Sequence, residues 1–187
     1  MLTLIGLSGS LRRDSYNSAV LRAAASMMPP DSLLRIESLA AIPLYNADDE
    51  SASGIPAAVT QLKEAIAAAD GLLLVSPEYN NSIAGVAKNA FDWLSRPPGD
   101  TARVFGGKPV ALAGASPGGF GTILAQAAWL PMFRNLGADL WPAGRLLVSH
   151  ASNVIDASGN ISDAATRDNL AKFLTGFVAY VRQRRPR

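Results

Sequence analysis

The sequence predicts an α/β fold, a five-stranded parallel sheet with helices on both faces. Three observations point to it. The runs Leu2–Leu7, Gly71–Ser76 and Val110–Ala115 are continuously apolar, as strands covered on both faces must be. The segments between them carry apolar residues at helical spacing. The two kinds of segment alternate from end to end, the pattern of parallel strands joined by crossover helices. The 187 residues show no internal repeat and no linker-like stretch, so they read as one domain spanning residues 1–187.

Leu2–Leu7 is the first strand. The helix after it, Ser18–Met28, places Val20, Leu21, Ala24, Met27 and Met28 on one stripe, and Pro29-Pro30 ends it. Leu33–Glu37 is a short second strand. Leu39–Ser53 reads as a loop containing Pro43, Asn46 and three acids. The second helix, Pro56–Ala69, turns Val59, Leu62 and Ile66 inward and begins with a proline, which suits a first turn. After the third strand, Gly71–Ser76, and a polar turn comes a helix over Val86–Leu94. Phe91, Trp93 and Leu94 cannot share one face at helical spacing, so part of that helix is expected to bury itself against another subunit. Val110–Ala115 is the fourth strand. The helix ending near Leu136-Gly137 contains Pro131, which is expected to kink or divide it. The fifth strand lies within Leu140–Val148, interrupted by Pro142. The last helix, Ala164–Arg182, has the clearest stripe of all: Leu170, Phe173, Leu174, Phe177, Val178 and Val181, with Ser162 or Asp163 as its cap.

In an open parallel sheet, ligands bind beyond the carboxyl ends of the strands. Three turns leave those ends with unusual composition. The first contains Gly9-Ser10-Leu11-Arg12-Arg13-Asp14-Ser15-Tyr16-Asn17, between the first strand and its helix. Unpaired N–H groups at a helix start, with hydroxyl and guanidinium donors beside them, form a socket for a phosphate. The second is Pro77-Glu78-Tyr79-Asn80-Asn81-Ser82, whose backbone can meet the polar edge of a flat heterocycle. The third, Ser116-Pro117-Gly118-Gly119-Phe120-Gly121-Thr122, lets main chain approach a planar ring, because glycine has no Cβ. Taken singly, each turn also has a plainer reading: a solvated loop with an Asn cap, a turn capped by Ser82, a glycine loop starting a helix. Together on one edge they suit a phosphorylated, planar, hydrogen-bonding ligand, and FMN fits better than a dinucleotide. The first turn lacks the Gly-x-Gly-x-x-Gly fingerprint, and no Gly-Lys-Ser/Thr phosphate loop occurs. Glu78, a loop acid, is given no proton-transfer role.

Composition excludes other chemistries. With no cysteine there is no disulfide, thiolate metal site or Cys nucleophile, and the single histidine, His150, reads as a loop or strand-end residue. No metal site is expected. The formal charge is +2, but Arg182, Arg184, Arg185 and Arg187 form a basic tail over 182–187, and setting those four aside leaves −2. No aromatic-interleaved basic patch accompanies the tail, so nucleic acid is not an expected partner. No basic leader precedes an apolar run, and no run of about 18 apolar residues exists. No membrane partner is expected, and a cytoplasmic location is.

The residues of these turns resemble the NADPH-dependent FMN reductase family, a flavodoxin-like group that includes small quinone, chromate and azo-dye reductases. The signatures are Gly9-Ser10-Leu11-Arg12 with Ser15 and Asn17, Pro77-Glu78-Tyr79-Asn80 with Ser82, Lys88-Asn89-Ala90-Phe91-Asp92-Trp93, and Ser116-Pro117-Gly118-Gly119. The resemblance covers nearly the whole chain. It implies a flavodoxin-like three-layer sandwich with strand order 2-1-3-4-5 and a non-covalent FMN at the carboxyl edge. Ser10, Arg12, Ser15 and Asn17, with Tyr16 among them, would hold the phosphate. Pro77, Glu78, Tyr79 and Asn80 would line the isoalloxazine, largely through main chain, with Ser82 in the same turn. Ser116, Gly118 and Gly119 would flank the ring from the other side. The co-substrate would be NADPH or NADH, the acceptor a small molecule such as a quinone, flavin, azo compound or metal oxyanion, and the assembly a homodimer or homotetramer. No side chain need be a nucleophile or obligatory acid, because the flavin carries the chemistry. One departure stands out: where several relatives carry an Arg early in the helix after the third turn, this chain reads Ile123-Leu124-Ala125-Gln126-Ala127-Ala128-Trp129, with no cation until Arg134.

Two other functions compete. A flavodoxin-like electron carrier would dock on a redox partner, and such carriers tend to be acidic, which this chain is not. A serine hydrolase would use Ser8 or Ser116 with Asp139 and His150, but neither serine sits in a Gly-x-Ser-x-Gly elbow.

Overall fold

The computed structural model describes residues 1–184, so Arg185 and Arg187 of the basic tail lie outside the described residues. The chain runs β1 (Leu2–Ser8), α1 (Tyr16–Ser26), β2 (Ser32–Glu37), α2 (Ala47–Ser53), α3 (Ala57–Ala68) and β3 (Gly71–Val75). A hairpin of β4 (Glu78–Tyr79) and β5 (Ser82–Ile83) follows, then α4 (Gly85–Leu94), a 3-10 turn at Pro98–Asp100 and α5 (Thr101–Phe105). The rest is β6 (Pro109–Ala115), α6 (Ile123–Asn135), β7 (Asp139–Leu140), β8 (Leu146–Val148), α7 (Ala151–Val154) and α8 (Ala164–Arg184).

The main sheet is parallel, in the order β2-β1-β3-β6, with β7 and β8 both pairing with β6. The expected fifth strand is therefore broken in two. Asp139-Leu140 pairs with the start of β6 and Leu146–Val148 with its end, and the segment holding Pro142 stands between them. A proline cannot donate to a ladder, which makes that segment the natural place for the break.

Alternation along each strand feeds two cores. Leu73, Val75, Ala111 and Ala113 pack on α1 and α8, whose stripe of Leu170, Phe173, Leu174, Phe177, Val178 and Val181 is buried as expected. Leu72, Leu74, Val110 and Leu112 pack on the other face against Val59, Leu62 and Ile66 of α3 and the aromatics of α4 and α6. Asp163 caps α8, its carboxylate accepting the Thr166 N–H at 2.7 Å.

Four expectations are corrected. The first helix starts at Tyr16, two residues before the predicted Ser18. Ser15 is its cap, its Oγ accepting the Ser18 N–H, and Met27 ends the helix. The stretch expected to be only loop contains α2. Asn46 caps it, and its first turn carries Asp48, Asp49 and Glu50, acids that favour the positive end of the helix dipole. The helix containing Pro131 is not divided there: Ile123–Asn135 is one element, which removes the division, one of the two expected outcomes.

The fourth correction concerns Phe91, Trp93 and Leu94, all buried within this one chain. Phe91 packs edge-on against Trp129 and Phe133 and tilted against Phe105, with ring centroids 5.1–5.8 Å apart. Trp93 faces the other way and is covered by the loop before α2. Tyr45 meets its ring edge-on at 4.9 Å, and its indole N–H donates to the Pro43 carbonyl at 3.0 Å. Asn89 fastens the same loop, donating to the Pro43 carbonyl and accepting the Tyr45 N–H, each at 2.8 Å. The covering that spacing alone assigned to a second subunit comes from a segment more than forty residues upstream.

Candidate functional site

β1, β3 and β6 end side by side, so the three unusual turns meet at one edge of the sheet. Between them lies a cleft of about 430 Å³, lined by Ser10, Arg12, Ser15, Tyr16, Asn17, Pro77, Glu78, Tyr79 and Ser116, with Ala115 and Pro117. Nine of the sequence-predicted site residues thus converge. Asn80 and Ser82 stand on the exposed hairpin beside the cleft, and Gly118 and Gly119 on the exposed third turn, outside its lining.

The first turn is held by its own serines. Ser8 Oγ bonds Ser18 Oγ at 2.9 Å and accepts the Ser10 N–H at 3.3 Å, while Ser10 Oγ accepts the Arg12 N–H at 3.3 Å. The guanidinium of Arg12 lies over the Tyr16 ring, 5.3 Å from its centroid. Ser15 takes the Ser18 N–H, and its carbonyl takes the Ala19 N–H. Among the described residues, the Tyr16 and Asn17 N–H groups have no acceptor. Two unpaired amides at the start of an eleven-residue helix, with Arg12 and the Ser10 and Ser15 hydroxyls beside them, make an anion cradle.

Asn17 contributes differently from its sequence reading. Its side chain is buried and fully used: the amide donates to the Ala115 carbonyl at 2.9 Å and accepts the Ala115 N–H at 2.8 Å. It clamps the end of β6 to α1, so only its main-chain N–H is free to face a phosphate.

The second turn is a hairpin with Asn80 and Asn81 both left-handed, at φ 51° and 58°. A two-residue connection with both φ positive matches strand twist, and asparagine tolerates that region. The Glu78 carboxylate is turned away from any proton-transfer role. One oxygen accepts the N–H groups of Leu124 and Ala125, at 2.8 and 2.9 Å. Thr122, which precedes α6, makes no side-chain cap, so Glu78 caps that helix from forty-six residues away.

The third turn depends on Gly114 in β6. A Cβ there would lie 1.9 Å from Thr122 Oγ1 and 2.5 Å from the Ser76 carbonyl, so only glycine lets the start of α6 and the end of β3 close on this strand. His150 sits beside this turn, left-handed at φ 47°, its N–H donating to the Gly118 carbonyl at 3.0 Å. A guanidinium from another element reaches the first turn of α6. Arg145 donates to the Ile123 carbonyl at 3.0 Å and to Gln126 Oε1 at 3.3 Å. No spacing rule relates Arg145, Glu78 or Asn17 to these partners.

The hydrolase constellation does not form. Asp139 accepts the Tyr180 hydroxyl at 2.7 Å and pairs with Arg184, and Ser8 Oγ is bound to Ser18. Among the described residues, no helix is long and apolar enough to cross a membrane.

The arrangement fits a flat ligand with a phosphate tail. The cradle suits the phosphate, and Pro77–Tyr79 of the second turn and Ser116-Pro117 of the third line the rest of the cleft. Comparison with known proteins agrees with that chemistry. The family model for NADPH-dependent FMN reductase matches residues 2–153. The chain is 42% identical over 184 residues to an NAD(P)H-dependent FMN reductase of Pseudomonas aeruginosa, covering 98% of this chain and 97% of that protein. It is also 42% identical over 177 residues to a 2-hydroxy-1,4-benzoquinone reductase of a Burkholderia species, covering 95% and 94%. The solved structure of a flavoenzyme NAD(P)H:(acceptor) oxidoreductase from Paracoccus denitrificans matches with a TM-score of 0.87 at 30% identity, over 98% of each chain. On both sequence and fold, the chain belongs to the NADPH-dependent FMN reductase family.

Proposed function

We propose that this protein is an NAD(P)H-dependent oxidoreductase that holds FMN in the cleft between its three carboxyl-end turns and reduces a small acceptor, a quinone above all. The single observation that carries the reading is that cleft, where the anion cradle and the ring-lining turns meet. When bound, FMN supplies the redox chemistry, accepting hydride from reduced nicotinamide and handing electrons to the acceptor. The chain's own part is to bind and orient. The Tyr16 and Asn17 N–H groups, Arg12, Ser10 and Ser15 would take the phosphate. Main chain of Pro77–Asn80 and Ser116–Gly119 would flank the ring, its fixed dipoles aimed at the ring edge. The side chains of Glu78 and Asn17 act as positioning groups, holding α6 and β6 where those turns need them.

Oligomer and location extend the same reading. Tyr79, Phe120 and Leu124, exposed at 54%, 80% and 47%, rise from the hairpin, the third turn and the start of α6. So much apolar surface beside one cleft supports a second copy packing there, as a homodimer or within a homotetramer. A cytoplasmic location suits an enzyme that draws on reduced nicotinamide.

The test is an absorption spectrum of the FMN-reconstituted protein before and after anaerobic NADPH. Bound-flavin bands that bleach within seconds are expected. Bands that persist with both NADPH and NADH would favour the electron carrier, and failure to bind flavin would overturn the reading. Arg12→Ala should weaken FMN binding by about tenfold or more, the loss of one charge-assisted contact, and slow hydride transfer far less in the flavin-loaded protein. Unchanged FMN affinity would refute the phosphate assignment.

A further inference from the structure

The residues at the phosphate end of the cleft also face a second cavity. Arg12, Ser15 and Tyr16 form one wall of this cavity of about 360 Å³, between α1 and the segment after α7. Its far wall includes Arg22, Ser152, Ile155 and Ser158. That wall is preformed. Asp156 Oδ1 accepts the Ser158 and Asn160 N–H groups, both at 2.9 Å, and the Asp156 N–H donates to the Asn160 carbonyl at 2.9 Å. Arg22 reaches across to this loop, its Nη2 only 2.7 Å from where a Cβ on Gly159 would stand. Among the described residues, no carboxylate lies within ion-pair distance of Arg12 or Arg22.

Each part of this cavity matches a part of an adenosine phosphate. Two guanidinium groups without carboxylate partners, one of them shared with the cradle, suit a second phosphate joined to the first. The Ser152 and Ser158 hydroxyls suit a ribose, and the Tyr16 ring and Ile155 suit the face of a purine. Two carboxylates, Asp14 and Asp156, also line the cavity and can accept from ribose hydroxyls; Asp156 already accepts two main-chain N–H groups, and the phosphate falls to the two guanidinium groups.

We propose that the cavity is a subsite for an adenosine phosphate, and that the chain therefore accepts FAD as well as FMN. The proposal rests on the FMN cleft described above. An adenosine phosphate is also part of NAD(P)H, but the shared wall assigns the subsite to a ligand whose second phosphate is bonded to the flavin phosphate, which is FAD.

The experiment is calorimetric titration of the apo-protein with FMN and with FAD, for wild type and Arg22→Ala, and of the FMN-loaded proteins with NADP⁺. Arg22 is exposed on a helix, and alanine there is a good helix former. FAD is expected to bind wild type within about tenfold of FMN. Arg22→Ala should weaken FAD about tenfold, the loss of one charge-assisted contact, and leave FMN within about twofold. FAD binding more than about a hundredfold weaker than FMN would overturn the proposal, as would equal effects of Arg22→Ala on both flavins. Weakened NADP⁺ binding with FAD affinity untouched would give the cavity to the co-substrate and also overturn it. FMN failing to bind wild type would remove the cleft reading itself, which separates the two failures.

Discussion

At the residue scale, two polar side chains in the candidate site do structural work that their residue types did not announce. Asn17 satisfies both main-chain groups of Ala115. Removing it strands a buried N–H and a buried carbonyl, each costing about 1–3 kcal/mol when left unpaired. Asn17→Ala is therefore expected to lower unfolding stability by about 2–4 kcal/mol in urea titration. A loss under about 0.5 kcal/mol would mean that water replaces the clamp. Glu78→Gln keeps a carbonyl oxygen for the Leu124 and Ala125 N–H groups but loses the charge facing the start of α6. Its expected cost is about 0.3–1 kcal/mol, whereas Glu78→Ala should cost about 1–2 kcal/mol. Equal effects of the two variants would show that charge, not capping, is what matters. Such roles are illegible in sequence because the partners stand 98 and 46 residues away.

At the scale of elements, a charged cluster joins α3 to the 3-10 turn and α5. Asp100 accepts from Arg103 and pairs with the buried Lys63, each at 2.6 Å, while Arg103 also holds Glu64 at 2.8 Å. Arg103, and after it Lys63, hold the Asp100 carboxyl well below its ordinary value of 3.8. A depressed carboxyl contributes stability above its unfolded value and loses it as pH falls toward the folded one. The cluster's contribution is thus complete at neutral pH and disappears as pH drops below about 3.8. Asp100→Asn should flatten the acid limb of a urea-midpoint-against-pH profile. It should also lower the midpoint at pH 7, because Lys63 keeps its charge without its carboxylate. An acid limb identical to wild type would remove Asp100 from that role. The long helices, the strands and the cap at Asp163 were readable from periodicity and residue type, since those signals are local. The first turn of α1 was misplaced by two residues because Ser15 and Asn17 are both good caps by type, and only the tertiary bond to Ala115 takes Asn17 out of contention. α2 was missed because seven residues with no buried side chain leave no hydrophobic period to read.

For the whole molecule, the sheet order brings three carboxyl-end turns to one cleft and leaves apolar side chains exposed around it. If a second copy covers them, Phe120→Glu should place a charge in that interface and shift the protein toward monomer in sedimentation velocity at micromolar concentration. A wild-type protein already monomeric there would refute the packing. Phe120 is not in the cleft lining, so FMN affinity of the variant reports separately on the site.

What the sequence determined by itself was whatever rests on short-range pattern. Continuously apolar strands alternating with amphipathic helices require a parallel sheet covered on both faces. Serines and arginines after β1, asparagines and an aromatic after β3, and glycines after β6 mark the edge where a ligand is expected to bind. What only the tertiary structure decided was how those turns are held. Asn17 locks β6 to α1, Glu78 caps α6, and Arg145 bonds the Ile123 carbonyl at the start of α6. It also decided that Trp93 is covered by its own chain. The reason is physical. Helix and strand periodicity follow from backbone geometry within a few residues, whereas a hydrogen bond between distant segments depends on where folding leaves them, which no local spacing encodes.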